Sequence, residues 1–129
     1  MSFTPQITDA LEPIIRLVNE DRQKGLERLT RMAEGGDRSA IVFLGLYLSE
    51  ETTTSDAAMK WLLLANDFGS PDAAWNIAMI ARERGDEHEM KRWIDRAAEL
   101  GEPDARIIQG NGYNVASVIA GVRDGDISA

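Results

Sequence analysis

Residues 97–105 read AAELGEPDA, and this stretch decides the fold because two earlier stretches align with it. Residues 32–40 read MAEGGDRSA, and residues 65–73 read ANDFGSPDA. In all three a glycine is followed four residues later by an alanine, and the glycines recur at an interval of about 33 residues, as in helix-pair repeats. The pattern predicts a chain built from a repeated unit.

Each unit is predicted to contain one helix that ends at the shared glycine and another that begins directly after it. Glycine suits the left-handed backbone position that closes a helix. Pro71 and Pro103 then fall in the first turn of the following helix, and Asp72 and Asp104 lie near the positive end of its dipole. Neighbouring helices are expected to cross closely at the shared alanines, which are Ala40, Ala73 and Ala105.

The composition favours helices throughout, since Ala, Leu, Ile, Met, Glu and Arg dominate and strand-like alternation is scarce. We therefore expect one all-α domain over residues 1–129, with repeats over about 25–113. The predicted helices cover 8–20, 22–35, 38–50, 55–68, 71–84, 86–100 and 103–112. Residues 114–123 are predicted to form a weaker capping helix, and 124–129 an acidic tail.

The stretch 92–101, RWIDRAAELG, resembles the Sel-one-like repeat family, a relative of the tetratricopeptide repeats. Ala105 continues the family pattern, Leu44-Gly45 matches its Leu-Gly step, and Gly110 and Tyr113 match its later glycine and tyrosine. The resemblance covers about residues 25–113. It implies a right-handed α-solenoid of antiparallel helix pairs that binds other proteins.

The chain departs from the family at several positions. It lacks the glycine-rich insertion that usually follows the family's tyrosine, so its unit has nearer tetratricopeptide length. Asn66-Asp67 replaces the Ala-Glu pair of the family, and Ile77-Ala78 replaces its Leu-Gly step. These departures concern the subfamily and leave the helix-pair pattern intact.

Charge and cysteine content exclude several classes of protein. With 14 basic and 22 acidic side chains the net charge is −8, which argues against a surface for nucleic acid or anionic lipid and permits a basic partner. The absence of cysteine excludes disulfides and thiolate metal sites. No basic region opens the chain, and no apolar run reaches the ~18 residues of a membrane span, so a cytoplasmic location is expected.

Few residues suggest chemistry. His88 is the only histidine, and its neighbours Glu87 and Glu89 point in other directions on a helix, so the three cannot grip one metal. The glycines of Gly110-Asn111-Gly112 lack the Lys-Ser/Thr partner of a phosphate loop and indicate a broken helix instead. We therefore expect no enzyme, no cofactor and no metal.

A partner is expected in the groove lined by the first helix of each pair. Counting from the shared alanines, the groove-facing residues are Ser39, Val42, Leu46, Ser49, Glu50, Asp72, Trp75, Met79, Arg82, Glu83, Asp104, Ile107 and Asn111. Nine of them are the predicted partner-binding residues: Val42, Leu46, Glu50, Asp72, Trp75, Met79, Arg82, Glu83 and Ile107. Two interpretations of the apolar ones stay open, a binding strip and core packing.

The expected function is non-catalytic binding of a protein or peptide in this groove. The alternative is an acidic inhibitor of the immunity-protein or antitoxin type, which would neutralise a basic toxin through charge complementarity. A tetratricopeptide carboxylate clamp needs Lys, Arg and Asn together in the groove. Only Arg82 and the asparagines Asn76 and Asn111 are present among several acids, so a clamp is not expected.

Overall fold

The computed structural model describes residues 2–118, and this part of the chain is all-α, as the composition predicts. It contains no strand, and residues 115–118 are helical up to the last described residue. No helix within it has both the length and the apolar character to cross a membrane. The α-helices are α1 (Glu12–Glu20), α2 (Arg22–Glu34), α3 (Arg38–Leu48), α4 (Ser55–Asp67), α5 (Pro71–Glu83), α6 (Glu87–Glu99) and α7 (Pro103–Gly110).

Consecutive helices pack against each other along the whole chain from α1 to α7. Short connections, such as residues 84–86 between α5 and α6, make each pair antiparallel. Helix α3 also packs against α5, which is not its neighbour in the chain. Helices from successive pairs therefore lie side by side.

The shared glycines end helices in the predicted left-handed conformation, with φ of 92° at Gly36, 89° at Gly69 and 98° at Gly101. The residue after each glycine donates its N–H to a carbonyl five residues back, as Ser70 does to Ala65 at 3.1 Å. The same residue caps the next helix, because its side chain accepts the N–H of the shared alanine. The three capping pairs are Asp37–Ala40 at 2.9 Å, Ser70–Ala73 at 3.1 Å and Glu102–Ala105 at 2.6 Å.

Glu102 is an unusual cap because its carboxylate is partly removed from water. Burial raises the pKa of Glu102, and the charges of Asp104 and Asp72 raise it further, against the lowering effect of the Ala105 N–H. A carboxyl whose pKa is higher in the folded state favours folding below its ordinary pKa of 4.5, and this contribution is lost as the pH rises through the raised value.

We therefore expect Glu102→Gln, which keeps an acceptor oxygen without the charge, to improve in stability relative to the wild type as the pH rises. The free energy of unfolding of both proteins would be measured in urea at about pH 4 and at about pH 7. The value for the variant minus that for the wild type should be more positive at the higher pH. The exposed Glu34→Gln provides the control. A difference between variant and wild type that stays constant with pH would contradict the raised pKa of Glu102.

The core is divided into two clusters of buried side chains that meet at α5. Ile77 of α5 belongs to the first cluster, with residues of α1–α4, whereas Ala78 belongs to the second, with residues of α6, α7 and Val115. The shared alanines have no exposed surface, which confirms the close packing expected of them. Helix α5 therefore joins the two halves of the core.

The start of α1 differs from the sequence-based expectation, whereas α4 begins at Ser55 as predicted. Helix α1 begins at Glu12 rather than at residue 8, because Pro13 has no N–H to donate within a helix and is tolerated only in the first turn. The loop before α4 forms a 3₁₀ turn, Thr52–Thr54. The side chain of Thr54, the residue before α4, does not cap the helix, and its hydroxyl donates to the Leu48 carbonyl at 2.6 Å.

The start of the predicted C-terminal helix is helical. Within the predicted helix 114–123, residues 115–118 are helical, Val115 is buried and Val118 is half-buried. The remainder of that helix, with Ile119 and Val122, and the tail 124–129 lie outside the described residues.

Candidate protein-binding groove

An apolar pocket lies between α1, α2 and α3. Its volume is about 270 Å³, and one carboxylate, Glu50, lies among its lining residues. Leu46 and Glu50 are two of the residues that the repeat register places in the groove, and the structure brings them together here. The complete lining is Ile15, Val18, Asn19, Leu29, Phe43, Leu46, Tyr47 and Glu50.

Charged side chains make contacts at the margin of this pocket. The Arg22 guanidinium lies 5.6 Å from the centre of the Tyr47 ring and 3.8 Å from a carboxylate oxygen of Glu51. These contacts connect the start of α2 to the end of α3 and orient Tyr47. Glu50 is exposed and forms no ion pair within residues 2–118. The pocket therefore combines an apolar interior with an available negative charge.

A polar bridge connects α3 to α5 beside the pocket. The Ser49 hydroxyl lies 2.7 Å from the Leu46 carbonyl oxygen and 3.0 Å from Oδ1 of Asn76. Nδ2 of Asn76 donates to the Asp72 carbonyl at 2.9 Å. Because both ends of its amide are engaged, Asn76 holds the two helices together and is poorly placed to bind the carboxylate of a partner.

The predicted residues of α5 have intermediate positions. Trp75 and Met79 are half-buried and pack against the second core cluster, whose neighbours include Tyr113 and Val118. Asp72 is half-buried, and Arg82 and Glu83 are exposed. Trp75 and Met79 are thus partly core and partly surface, so both interpretations of the apolar strip apply to them in part.

The prediction is wrong for two residues near the start of α3. Val42 has no exposed surface and Ser39 is only 8% exposed, so neither can line a groove. Val42 packs into the first core cluster, and the Ser39 hydroxyl accepts the Gln6 N–H at 3.0 Å. Ile107 differs from them, since it is 56% exposed and offers apolar surface on α7.

The pocket residues of α1 and α2 and two of α3 were not predicted from the sequence. Ile15 and Val18 have helical spacing, which signalled an apolar face, but α1 precedes the aligned units and so had no register. Phe43 and Tyr47 flank predicted positions on α3 but were not among the predicted groove residues. The signal that could have identified the pocket residues of α1 is the apolar face that Ile14, Ile15 and Val18 share.

A second cavity lies at the C-terminal end of α5. Its volume is about 290 Å³, and Arg82 and Met90 are among its lining residues. Tyr113 borders it with φ of 65°, a left-handed conformation that is uncommon for a tyrosine. The Tyr113 hydroxyl donates to Asp95 at 2.6 Å, and this bond raises the pKa of the tyrosine. The bond to α6 helps to hold the strained turn after α7.

A polar cavity of about 730 Å³ brings together Arg38, Arg96 and Arg106 with Asp67 and Glu99. The arginines are already engaged within the fold. Arg96 donates to Asn66 at 2.9 Å, Arg106 donates to the Ala98 carbonyl at 3.3 Å, and Arg38 lies 5.3 Å from the centre of the Phe68 ring. Two acids, Asp67 and Glu99, line the same cavity. Its charged side chains therefore connect the ends of neighbouring helices.

The acidic neighbours of His88 in the sequence form ion pairs with other residues. His88 is exposed in the first turn of α6, while its neighbours pair with other residues, Glu87 with Lys91 at 3.6 Å and Glu89 with Arg92 at 3.1 Å. Residues 2–118 contain no group of three His, Asp or Glu side chains placed to hold a metal ion.

Comparison of the chain with protein-family models, with curated proteins and with solved structures gives no match.

Proposed function

We propose that this chain is a non-catalytic interaction module whose groove binds a segment of another protein. The observation that supports it is the apolar pocket between α1, α2 and α3, with Glu50 as its one carboxylate. We further propose that the helix pairs form a right-handed solenoid of the Sel-one-like type. The contact between α3 and α5, which places helices of successive pairs side by side, supports that arrangement.

The pocket suits a side chain better than a cofactor. Its volume of about 270 Å³ is at or below the lower end of the range for small-molecule sites, and its lining offers few polar groups to orient a ligand. Partly exposed aromatic and aliphatic side chains such as Phe43 and Leu46 are typical anchoring positions for a partner's side chain. The partner segment is therefore proposed to insert one large apolar residue.

The charge of the chain favours a basic flank on that segment. Glu50 would pair with a Lys or Arg next to the anchoring residue, and the net charge of −8 would speed the encounter. Trp75 and Met79 would extend the contact along α5.

The same charge supports the alternative, an inhibitor of the immunity-protein or antitoxin type. Asp72, Glu102 and Asp104 lie close enough that the two aspartates raise the pKa of the glutamate. A basic toxin surface would relieve this repulsion between the starts of α5 and α7. The two functions differ in whether the partner is toxic when expressed alone.

A pull-down with matched charge reversals tests the proposal. Glu50→Lys and Glu34→Lys make the same change in net charge, but only Glu50 lies at the pocket. We expect a protein captured from the native host by the wild type and by Glu34→Lys to bind Glu50→Lys at least tenfold more weakly. Trp75→Ala/Met79→Ala tests the extension along α5, with circular dichroism to establish that each variant is folded.

Three outcomes are informative. Equal capture by both charge-reversed variants would refute the pocket as the binding site. Loss with Glu50→Lys but not with the double alanine variant would restrict the site to α1–α3. A captured protein that is basic and toxic when expressed alone would favour the inhibitor.

A further inference from the structure

Helix α4 carries a stripe of four side chains that are exposed in the described chain: Lys60, Leu63, Leu64 and Asp67. Their spacing of three, four and seven residues places them on one face of the helix. Leu63 and Leu64 are 41% and 42% exposed, and they are two of only four large hydrophobic residues in residues 2–118 with that much exposed surface. We refer to these four residues as the α4 stripe.

The fold itself does not require leucine at these positions. Aligned on the shared glycines, Leu63-Leu64 corresponds to Thr30-Arg31 in α2 and to Asp95-Arg96 in α6. The equivalent helices of the two neighbouring units, α2 and α6, therefore carry polar side chains at these positions. An apolar pair confined to the central helix is better explained by a partner than by packing within the chain.

From its N-terminal end the stripe reads cation, leucine, leucine, anion, and from its C-terminal end it reads anion, leucine, leucine, cation. A cation at Lys60 and an anion at Asp67 lie equally far from the leucine pair between them. If α4 packed antiparallel on α4 of a second copy, Lys60 would face the second copy's Asp67, and Leu63 would face its Leu64. Such self-complementarity is what a two-fold symmetric interface requires.

We propose that two copies of this chain associate through the α4 stripe, with their α4 helices antiparallel. Neither Lys60 nor Asp67 forms an ion pair within residues 2–118, and the Lys60 ammonium lies over the Trp61 ring at 4.7 Å, from which it can turn outwards. The antiparallel arrangement also opposes the two helix dipoles. No residue of α4 lines the pocket between α1, α2 and α3, so both copies would keep that pocket accessible.

The dimer is expected to be weak and dependent on concentration. A single helix-on-helix contact with two leucines a side buries less than the ~1,200 Å² of a standard stable interface. Sedimentation velocity of the full chain over a series of concentrations should therefore show a monomer–dimer equilibrium. A wild type that stays monomeric up to millimolar concentration would overturn the proposal.

A double substitution in α4 tests whether the two leucines form the dimer contact. Leu63→Thr/Leu64→Arg introduces the residues that α2 already carries at these places, and it should raise the dissociation constant at least tenfold with unchanged circular dichroism. Ile107→Thr removes another exposed aliphatic side chain and should leave the equilibrium unchanged. A dimer that persists in the double variant would show that another surface is used.

Charge reversal tests the orientation. Lys60→Glu and Asp67→Lys should each weaken the dimer several-fold, because like charges would then face each other, and the two together should restore it. Failure of the double variant to recover would refute the antiparallel arrangement. A zero-length carbodiimide cross-link between Lys60 and Asp67 should form only between copies, since seven residues separate them by about 10 Å along one helix.

Discussion

Gly25→Ala is expected to destabilise the protein by about 3 kcal/mol, towards the upper end of the cost of overpacking a core. Gly25 is buried in α2 and faces Val18 of α1. A Cβ atom at this position would collide with the backbone Cα and N of Val18. A backbone cannot rotate away as a side chain can, so α1 and α2 would have to separate along their whole contact.

Two other glycines make the prediction specific to that contact. A Cβ at Gly45 would lie 2.9 Å from Cδ2 of Leu62, a side-chain end that can move, so Gly45→Ala should cost less than Gly25→Ala. A Cβ at Gly110 would meet nothing within 4 Å, so Gly110→Ala at the end of α7 should be neutral or gain up to about 1 kcal/mol. Urea unfolding of the three variants should give this order. If Gly25→Ala lost no more stability than Gly45→Ala, the close approach of α1 and α2 would be wrong.

Gly25 also shows which parts of the fold were predictable. The ends of most helices were predicted within two residues because they depend on local chemistry: a left-handed glycine such as Gly69 and a capping side chain such as Ser70 act on their own neighbours. The close contact of Gly25 with Val18 depends instead on how two helices approach each other. No local signal reports that distance, and a glycine inside a helix reads only as a weak helix former.

The candidate site was predictable to the extent that it follows the repeat register. Leu46 and Glu50 were found because they lie at fixed intervals after Ala40, and they do line the pocket. Val42 shares that register but is fully buried, because the start of α3 packs into the first core cluster. Ile15 and Tyr47 were missed since the pocket forms against α1, whose position relative to α3 cannot be counted from the repeat.

Ile94→Ala is expected to cost about 3 kcal/mol, and the loss should be uneven along the chain. Ile94 has no exposed surface and lies in the second core cluster, between α6 and its neighbours. Truncation leaves a cavity there. In urea unfolding, Leu62→Ala in the first cluster should cost a similar amount, because Leu62 is equally buried.

Hydrogen exchange should separate these two variants, because the helices contact one another mainly in chain order. Ile94→Ala should lower the protection of amides in α6 and α7 by about a hundredfold, since each tenfold step corresponds to ~1.4 kcal/mol. It should lower protection less in α1 and α2, which reach the second cluster only through the intervening helices. Leu62→Ala should show the opposite distribution. Equal losses at both ends in both variants would mean that α5 couples the two clusters so tightly that the domain opens only as a whole.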